Sequence, residues 1–264
     1  MHSLINVNTV ETIRKTGNTD DNLPDRTGIL KAQDLPFDQP AENIIITGCQ
    51  ILGAMPQILK KFSGILGQAG VTHTFLSKEF CCGNNLYRPA IKAKDEQAMA
   101  ECRSLSKEFV GLNIGKAKEL GAQRIIIFCS PCYPIYRHAF PEENIVFYPQ
   151  VISEAIPDLS FHEPIDYYAG CYRLHKKFSP VPVDLKSADQ VFKKIQNLSI
   201  NRISAPSCCY KQEGLDHMLN NVQTRYMVHI CTGCYFQALL NKKDDKDFQV
   251  LMLPEFIDLL LKES

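Results

Sequence analysis

Ten of the eleven cysteines in this 264-residue chain follow an order that occurs twice. In the first copy a single Cys49 precedes the vicinal pair Cys81-Cys82 and then Cys129-Ser-Pro-Cys132. In the second, Cys171 precedes Cys208-Cys209 and then Cys231-Thr-Gly-Cys234. Equivalent cysteines are offset by 122 (Cys49 to Cys171), 127 (Cys81 to Cys208) and 102 residues (Cys129 to Cys231), so the copies differ in their connecting segments. A tandem duplication gives such offsets, whereas a solenoid has a fixed and shorter period.

The segments between the cysteines set the fold class. Ile44-Ile45-Ile46-Thr47 is a β-branched run ending at Gly48-Cys49, and Gln57 to Gln68 then shows helical spacing. Val71 to Phe80 reads as a strand that delivers Cys81-Cys82-Gly83, followed by a long helix from Ala90 to Leu120. Arg124 to Phe128 delivers the first C-x-x-C, and Asn144 to Tyr148 is a fourth strand before a helix over Pro149 to Ile156. The succession returns with Asp166 to Ala169 before Cys171, a helix from Ser187 to Leu198, Ile203 to Ala205 before Cys208-Cys209, and Tyr226 to Ile230 before the second C-x-x-C. Phe248 to Leu253 then leads into a final helix.

Strands alternating with helices of this length predict an α/β protein made of two pseudo-repeated, Rossmann-like halves, each a parallel sheet with helices on its faces. In such sheets the loops after the strands emerge at one carboxyl edge, so three cysteine-bearing loops per half can converge there. The expected division is an amino-terminal extension over 1–42 that packs on the surface, a first cysteine-rich domain over 43–160 and a second over 161–264.

Composition narrows the partners and the compartment. Lysine plus arginine equals aspartate plus glutamate at 29 each, which leaves no footprint for nucleic acid or an anionic membrane surface. No secretory progression opens the chain and no apolar run approaches the ~20 residues of a bilayer span, so a cytoplasmic location is expected. In a reducing compartment eleven cysteines are expected to serve metal or redox roles rather than structural disulfides.

The donor count bears on the metal. Four thiolates suit zinc or an ordinary four-iron cluster, and each copy offers five. A vicinal pair grips one centre only in a turn, since neighbouring side chains of an extended strand point to opposite faces, and Gly83 makes such a turn easy. The pair can then touch two irons of one cluster, or leave one thiolate free to bridge or react. For the C-x-x-C pairs alone, zinc or a thioredoxin-like dithiol is the alternative, but neither requires the vicinal pairs. Cys102, in register with Ala98, Leu105, Phe109 and Leu112 on one helical stripe, reads as a core thiol.

This order of cysteines resembles the paired cysteine-rich (CCG) domains of the heterodisulfide reductase B subunit and the equivalent part of the D subunit. It is also similar to iron-sulfur subunits of anaerobic glycerol-3-phosphate dehydrogenase and of lactate utilisation, over about residues 43 to 264. The resemblance implies a non-cubane [4Fe-4S] cluster per motif, bound by Cys49, Cys81, Cys82, Cys129 and Cys132 in the first half and by Cys171, Cys208, Cys209, Cys231 and Cys234 in the second. The second pair continues Tyr210-Lys211 where the family usually has glycine, so the type of the second cluster is left open.

Two functions follow from the resemblance. In one, the chain is the subunit of a heterodisulfide-reductase-like complex that reduces a small-molecule disulfide, or oxidises thiols, with Cys81 and Cys82 as reacting thiolates. In the other it relays electrons between a flavoprotein or dehydrogenase and a quinone or other carrier. The chain has no C-x2-C-x2-C-x3-C run, so a ferredoxin-like iron-sulfur subunit is the expected electron donor, beside a flavoprotein subunit.

His175 is the candidate proton donor to a departing thiolate, with His138 a second. Arg88, Arg137, Arg173, Lys176, Lys177 and Lys211 are candidates to offset cluster charge or hold an anion. Tyr133, Tyr172, Tyr210 and Tyr235, each directly after a motif cysteine, are expected to shield the centres from water.

Overall fold

The computed structural model describes residues 1–20, 25–170, 179–243 and 246–263. Cys171, Tyr172, Arg173, His175, Lys176 and Lys177 lie outside the described residues.

The first half is a parallel sheet in the order β2-β1-β3-β4, formed by β1 (Asn43–Ile46), β2 (His73–Phe75), β3 (Arg124–Ile127) and β4 (Ile145–Phe147). Its central strands are continuous isoleucine runs because both faces are covered. The covering helices are α3 (Ile51–Ala54), α4 (Pro56–Gln68), α5 (Tyr87–Ala93), α6 (Glu96–Glu119), α7 (Cys132–Ala139) and α8 (Tyr148–Ala155). On α4 the residues Ile58, Leu59, Phe62 and Leu66 are fully buried, as its spacing predicts.

Three expectations differ from the structure. The single helix expected from Ala90 to Leu120 is two, because Lys94 takes a left-handed conformation (φ 55°) and Asp95 caps α6 by accepting from the Ala98 N–H. The strand expected from Val71 to Phe80 has only three residues, and the rest runs as a loop that carries Glu79 toward the sheet edge. Leu112, assigned to the apolar stripe of α6, is 47% exposed, whereas Ala98, Cys102, Leu105 and Phe109 are buried as expected.

The second half repeats the plan in the order β10-β9-β6-β8, with β6 (Ile165–Tyr168), β8 (Ile200–Arg202), β9 (Tyr226–His229) and β10 (Gln249–Met252), all parallel. Its helices are α9 (Lys186–Lys193), α10 (Gln212–Asn220), α11 (Thr232–Asn241) and α12 (Leu253–Glu263). A short pair, β5 (Leu159–Ser160) with β7 (Ile195–Gln196), joins the halves.

The halves clasp each other reciprocally. The last helix of the first half, α8, packs on α9, the first described helix of the second, and the last described helix, α12, packs on α4. The apolar faces that meet include Val151, Ile152, Val191, Phe62, Phe256 and Ile257, each fully buried. At about 1.5–3 kcal/mol per fully buried large side chain, this contact is a principal source of stability.

The extension over 1–42 contributes α1 (Val7–Thr16) and α2 (Arg26–Ala32). It does more than lie on the surface: Val10, Ile13 and Leu30 are fully buried, and α1 packs on α6. Among the described residues, no helix is long and apolar enough to cross a membrane.

Candidate metal centre

Each β-strand that precedes a cysteine ends at the same edge of its sheet, and there the sulfurs collect. In the first half all five thiols form one unbroken series of hydrogen-bonded neighbours, Cys49 to Cys81 to Cys82 to Cys132 to Cys129. The Cys82 and Cys132 sulfurs are 3.3 Å apart. In the second half Cys208, Cys209, Cys234 and Cys231 form the equivalent series, with 3.4 Å between the Cys209 and Cys234 sulfurs. Among the described residues every cysteine is an unbridged thiol.

The loop glycines explain why the sulfurs can approach. Gly48 has φ 94°, and a Cβ there would lie 2.8 Å from Cys129 Cβ and 3.3 Å from its sulfur. Gly170 has the same φ of 94°, and its Cβ would lie 2.9 Å from Cys231 Cβ and 3.3 Å from the Cys234 sulfur. Each glycine thus leaves the opening that its C-x-x-C fills, once per half. Gly48→Ala is expected to cost about 1–3 kcal/mol of stability and to spread the first nest. Denaturant melts beside Gly64→Ala, a helical position with open space around it, check this.

The vicinal pairs turn in different ways. Gly83, with φ 75°, turns the chain after Cys82 into a 3₁₀ turn over Asn84–Leu86, as the sequence predicts. Ser106 fixes that turn by donating to the Cys82 carbonyl at 2.7 Å. In the second half the Lys211 N–H closes a turn on the Cys208 carbonyl at 2.9 Å. The glycine that this needs comes later: a Cβ on Gly214, in the first turn of α10, would lie 2.3 Å from the Cys208 carbonyl oxygen. The departure at Tyr210-Lys211 is therefore accompanied by a helix drawn up beneath the pair.

Electrostatics favour thiolate at particular members. Cys82 accepts from Cys132 and from Cys81, which brings its pKa down to about 6 against the opposing cost of burial. Cys231 accepts from Cys234 and from the backbone N–H groups of Cys234 and Gly233, and sits at about 7. Cys132 and Cys234 move the other way, pushed up by the thiols beside them, Cys129 and Cys82 for the one and Cys209 and Cys231 for the other, and by burial. Cys102 is separate, fully buried against the Leu86 carbonyl at 3.4 Å, with its pKa raised to about 11 by burial.

Two residues of the first centre escape a reading of the sequence. Glu79 is 1% exposed and accepts from Thr47 N–H (2.8 Å), Thr47 Oγ1 (2.9 Å) and Gly48 N–H (2.9 Å), so it holds the turn that presents Cys49. Arg26, from the amino-terminal extension, pairs with it at 2.7 Å and also donates to Thr47 Oγ1 and the Leu76 carbonyl. Gly17 completes this support by accepting from the Cys81 N–H at 2.7 Å. A lone arginine and a lone glutamate 53 positions apart carry no sequence pattern that would pair them. His229 is a third such residue, fully buried at the end of β9 with neither ring nitrogen hydrogen-bonded and a pKa depressed to about 3 by burial.

Other candidates divide. Tyr133 and Tyr235 are buried beside the nests, but Tyr210 is 66% exposed, because it extends over Gly233 rather than under the sulfurs. Arg137 donates to the Glu143 carbonyl, away from the cysteines, and Arg88 and Lys211 are exposed. His138 is exposed on α7 and lines a cavity beside the first nest.

The nests adjoin. Ser130, inside the first C-x-x-C, donates at 2.8 Å to the carbonyl of Ile230, the residue before Cys231, and the Tyr148 hydroxyl donates to that same carbonyl at 3.2 Å.

The donors are thiols alone, five in one series in the first half, with the Gly83 N–H directed at the Cys81 sulfur and backbone N–H groups of α11 at Cys231. Among the described residues, no three His, Cys, Asp or Glu side chains are set round a point as a single metal ion requires. An all-sulfur donor set supplied by loops and helix starts fits an iron-sulfur cluster in number and kind.

Sequence comparison agrees with this geometry. Residues 44–134 match the family model CCG, cysteine-rich domain, so the first half carries a CCG cysteine-rich domain. The match begins in β1 and ends just after Cys132, taking in all five thiols of the first nest. A cysteine-rich domain of this kind with an all-thiol donor set points to an iron-sulfur protein. No curated protein matches the chain.

Proposed function

We propose that this chain is the iron-sulfur subunit of a heterodisulfide-reductase-like complex, in which the two nests hold one four-iron cluster each and a small-molecule disulfide is reduced beside the first. Cys49, Cys81, Cys82, Cys129 and Cys132 would hold one cluster, and Cys171, Cys208, Cys209, Cys231 and Cys234 the other. The observation that carries the reading is the gathering of five thiols from three loops in one half and of four in the matching places of the other. The clusters would supply one-electron redox chemistry and iron sites for sulfur.

The chain's own residues account for the rest. Cys82, the thiol that accepts from two others, is the member most readily present as thiolate and the candidate reacting group. Ser130 and Ile230 bring the two nests into direct contact, a short route for charge between them. Reducing one disulfide breaks its S–S bond and takes up two electrons and two protons, releasing two thiols. A ferredoxin-like partner would deliver the electrons singly, with a flavoprotein behind it, and solvent would supply the protons through the cavity at His138.

A second reading, electron relay without a substrate, draws on the burial of Cys82 and Cys132 at 4% and 5% exposure. The cavity with basic walls beside the first nest favours the reductase.

Iron and acid-labile sulfide in anaerobically purified protein test the core of this proposal. About eight of each per chain are expected for two four-iron centres. Zinc at one or two per chain with no sulfide overturns it.

A further inference from the structure

Arg26 and Glu79 form an ion pair beside the first nest, joined at 2.7 Å with 8% and 1% of their side chains exposed. Its charges are not spent on each other alone. The Glu79 carboxylate accepts from the Gly48 N–H at 2.9 Å, one residue before Cys49, and a Cβ on Gly48 would stand 3.3 Å from the Cys129 sulfur. The Arg26 guanidinium meets Glu79, Thr47 Oγ1 and the Leu76 carbonyl through Nη2, while its Nε and Nη1 have no hydrogen-bond partner among the described residues. Two buried donors left unmet make this side chain a costly brace for a loop, so keeping a charge here needs another reason.

Solvent screens neither charge at such burial. Both fields reach the nest: the Cys49 thiol is pushed well above its ordinary pKa by Cys81 and by burial first, and Glu79 raises it further while Arg26 lowers it. In the second half the matching position, two residues before Cys208, is Pro206, which brings no charge.

We infer that the Arg26–Glu79 pair sets the reduction potential of the first centre and not of the second, the carboxylate lowering it and the guanidinium of the amino-terminal extension limiting that fall. The inference rests on the proposed cluster in the first nest and adds the residues that regulate it. The potential of a cluster follows the charge around it, because an added electron is repelled by a nearby carboxylate and attracted by a nearby guanidinium. Glu79 has the larger effect, since it bonds to the residue next to Cys49 while Arg26 reaches only Thr47 and Leu76. A lowered potential makes the electron held at the first centre a stronger reductant toward a disulfide. Through Arg26 the extension becomes a working part of that centre.

Redox titration of the anaerobically purified, iron-loaded full chain, followed by EPR, tests this, with the signal that Cys82→Ser removes taken as the first centre's. Glu79→Gln keeps the shape and one acceptor oxygen, and is expected to raise the first midpoint, favouring one-electron reduction about tenfold, or 59 mV. Arg26→Gln is expected to lower it by less, and Arg26→Lys, which keeps the charge, to leave it at the wild-type value. The second midpoint is expected to stay constant throughout. Glu79→Gln and Arg26→Gln shifting the first midpoint in the same direction, or not at all, overturns the inference, and so does Arg26→Lys shifting as far as Arg26→Gln.

Should the single changes fold poorly, Arg26→Gln/Glu79→Gln strands no charge and supplies the check. Its first midpoint is expected to rise by less than tenfold, and a value at or below wild type overturns the inference. The two readings fail separately. A first nest without iron overturns the cluster reading, whereas iron at an unmoved midpoint overturns only the role of the pair.

Discussion

Cys82→Ser is expected to strip the first centre, lowering iron from about eight to about four per chain, whereas Cys102→Ser leaves it at the wild-type level. Cys82 sits in the middle of its series, between Cys81 and Cys132, and accepts from both. A serine there is a poor ligand for iron and interrupts the contact at 3.3 Å that joins the C-x-x-C to the rest. Cys102 is as deeply buried but faces a backbone carbonyl on α5's approach, so a serine in its place changes packing alone. Iron, sulfide and the EPR signal of the reduced protein, compared in the two variants, make the check. Equal loss in both would mean that burial, not ligation, governs iron content.

Glu79→Leu is expected to destabilise the protein by about 3–5 kcal/mol, and Arg26→Met by less, in denaturant melts under anaerobic conditions. Breaking a buried ion pair leaves one charge without compensation, which either change does. Glu79 has a further role, since its two oxygens also take the N–H groups of Thr47 and Gly48 and the Thr47 hydroxyl. Losing it leaves those donors buried and unmet at about 1–3 kcal/mol each, so even the paired Arg26→Met/Glu79→Leu chain remains weakened. A double variant as stable as wild type would show that the turn before Cys49 holds itself. The same changes are expected to affect the first centre and spare the second, because among the described residues Glu79 and Arg26 bond to each other and to the first half's loops.

The parts of the fold that could be read from sequence were those written in a periodic code. Isoleucine runs gave β1 and β3, and apolar spacing gave α4 to within one residue. The cysteines themselves mark the strand ends, so the gathering of the first half's five thiols is legible in the sequence. What escaped depended on pairings between distant positions. Arg26 meets Glu79 only because the extension crosses back over the sheet edge, and Gly214 matters only because Cys208's carbonyl is pressed against it. The break at Lys94 was hidden because lysine is a good helix former and its left-handed turn is set by Asp95 and the packing of α5 on α6. The exposure of Tyr210 carries no sequence signal, because its position next to Cys209 says nothing of which way its side chain leaves the turn.

The mutual grip of α8 on α9 and of α12 on α4 bears on how such a chain could have arisen. Two equivalent arms that each reach across to the other's partner are what a self-complementary pair of identical subunits would present about a two-fold axis. A gene encoding only one half would therefore already possess the means to associate with its own product, and joining two copies end to end would preserve that association while freeing each to diverge. Divergence is visible in the acidic anchor beneath Cys49, which sits where the later half has Pro206 ahead of its own vicinal pair.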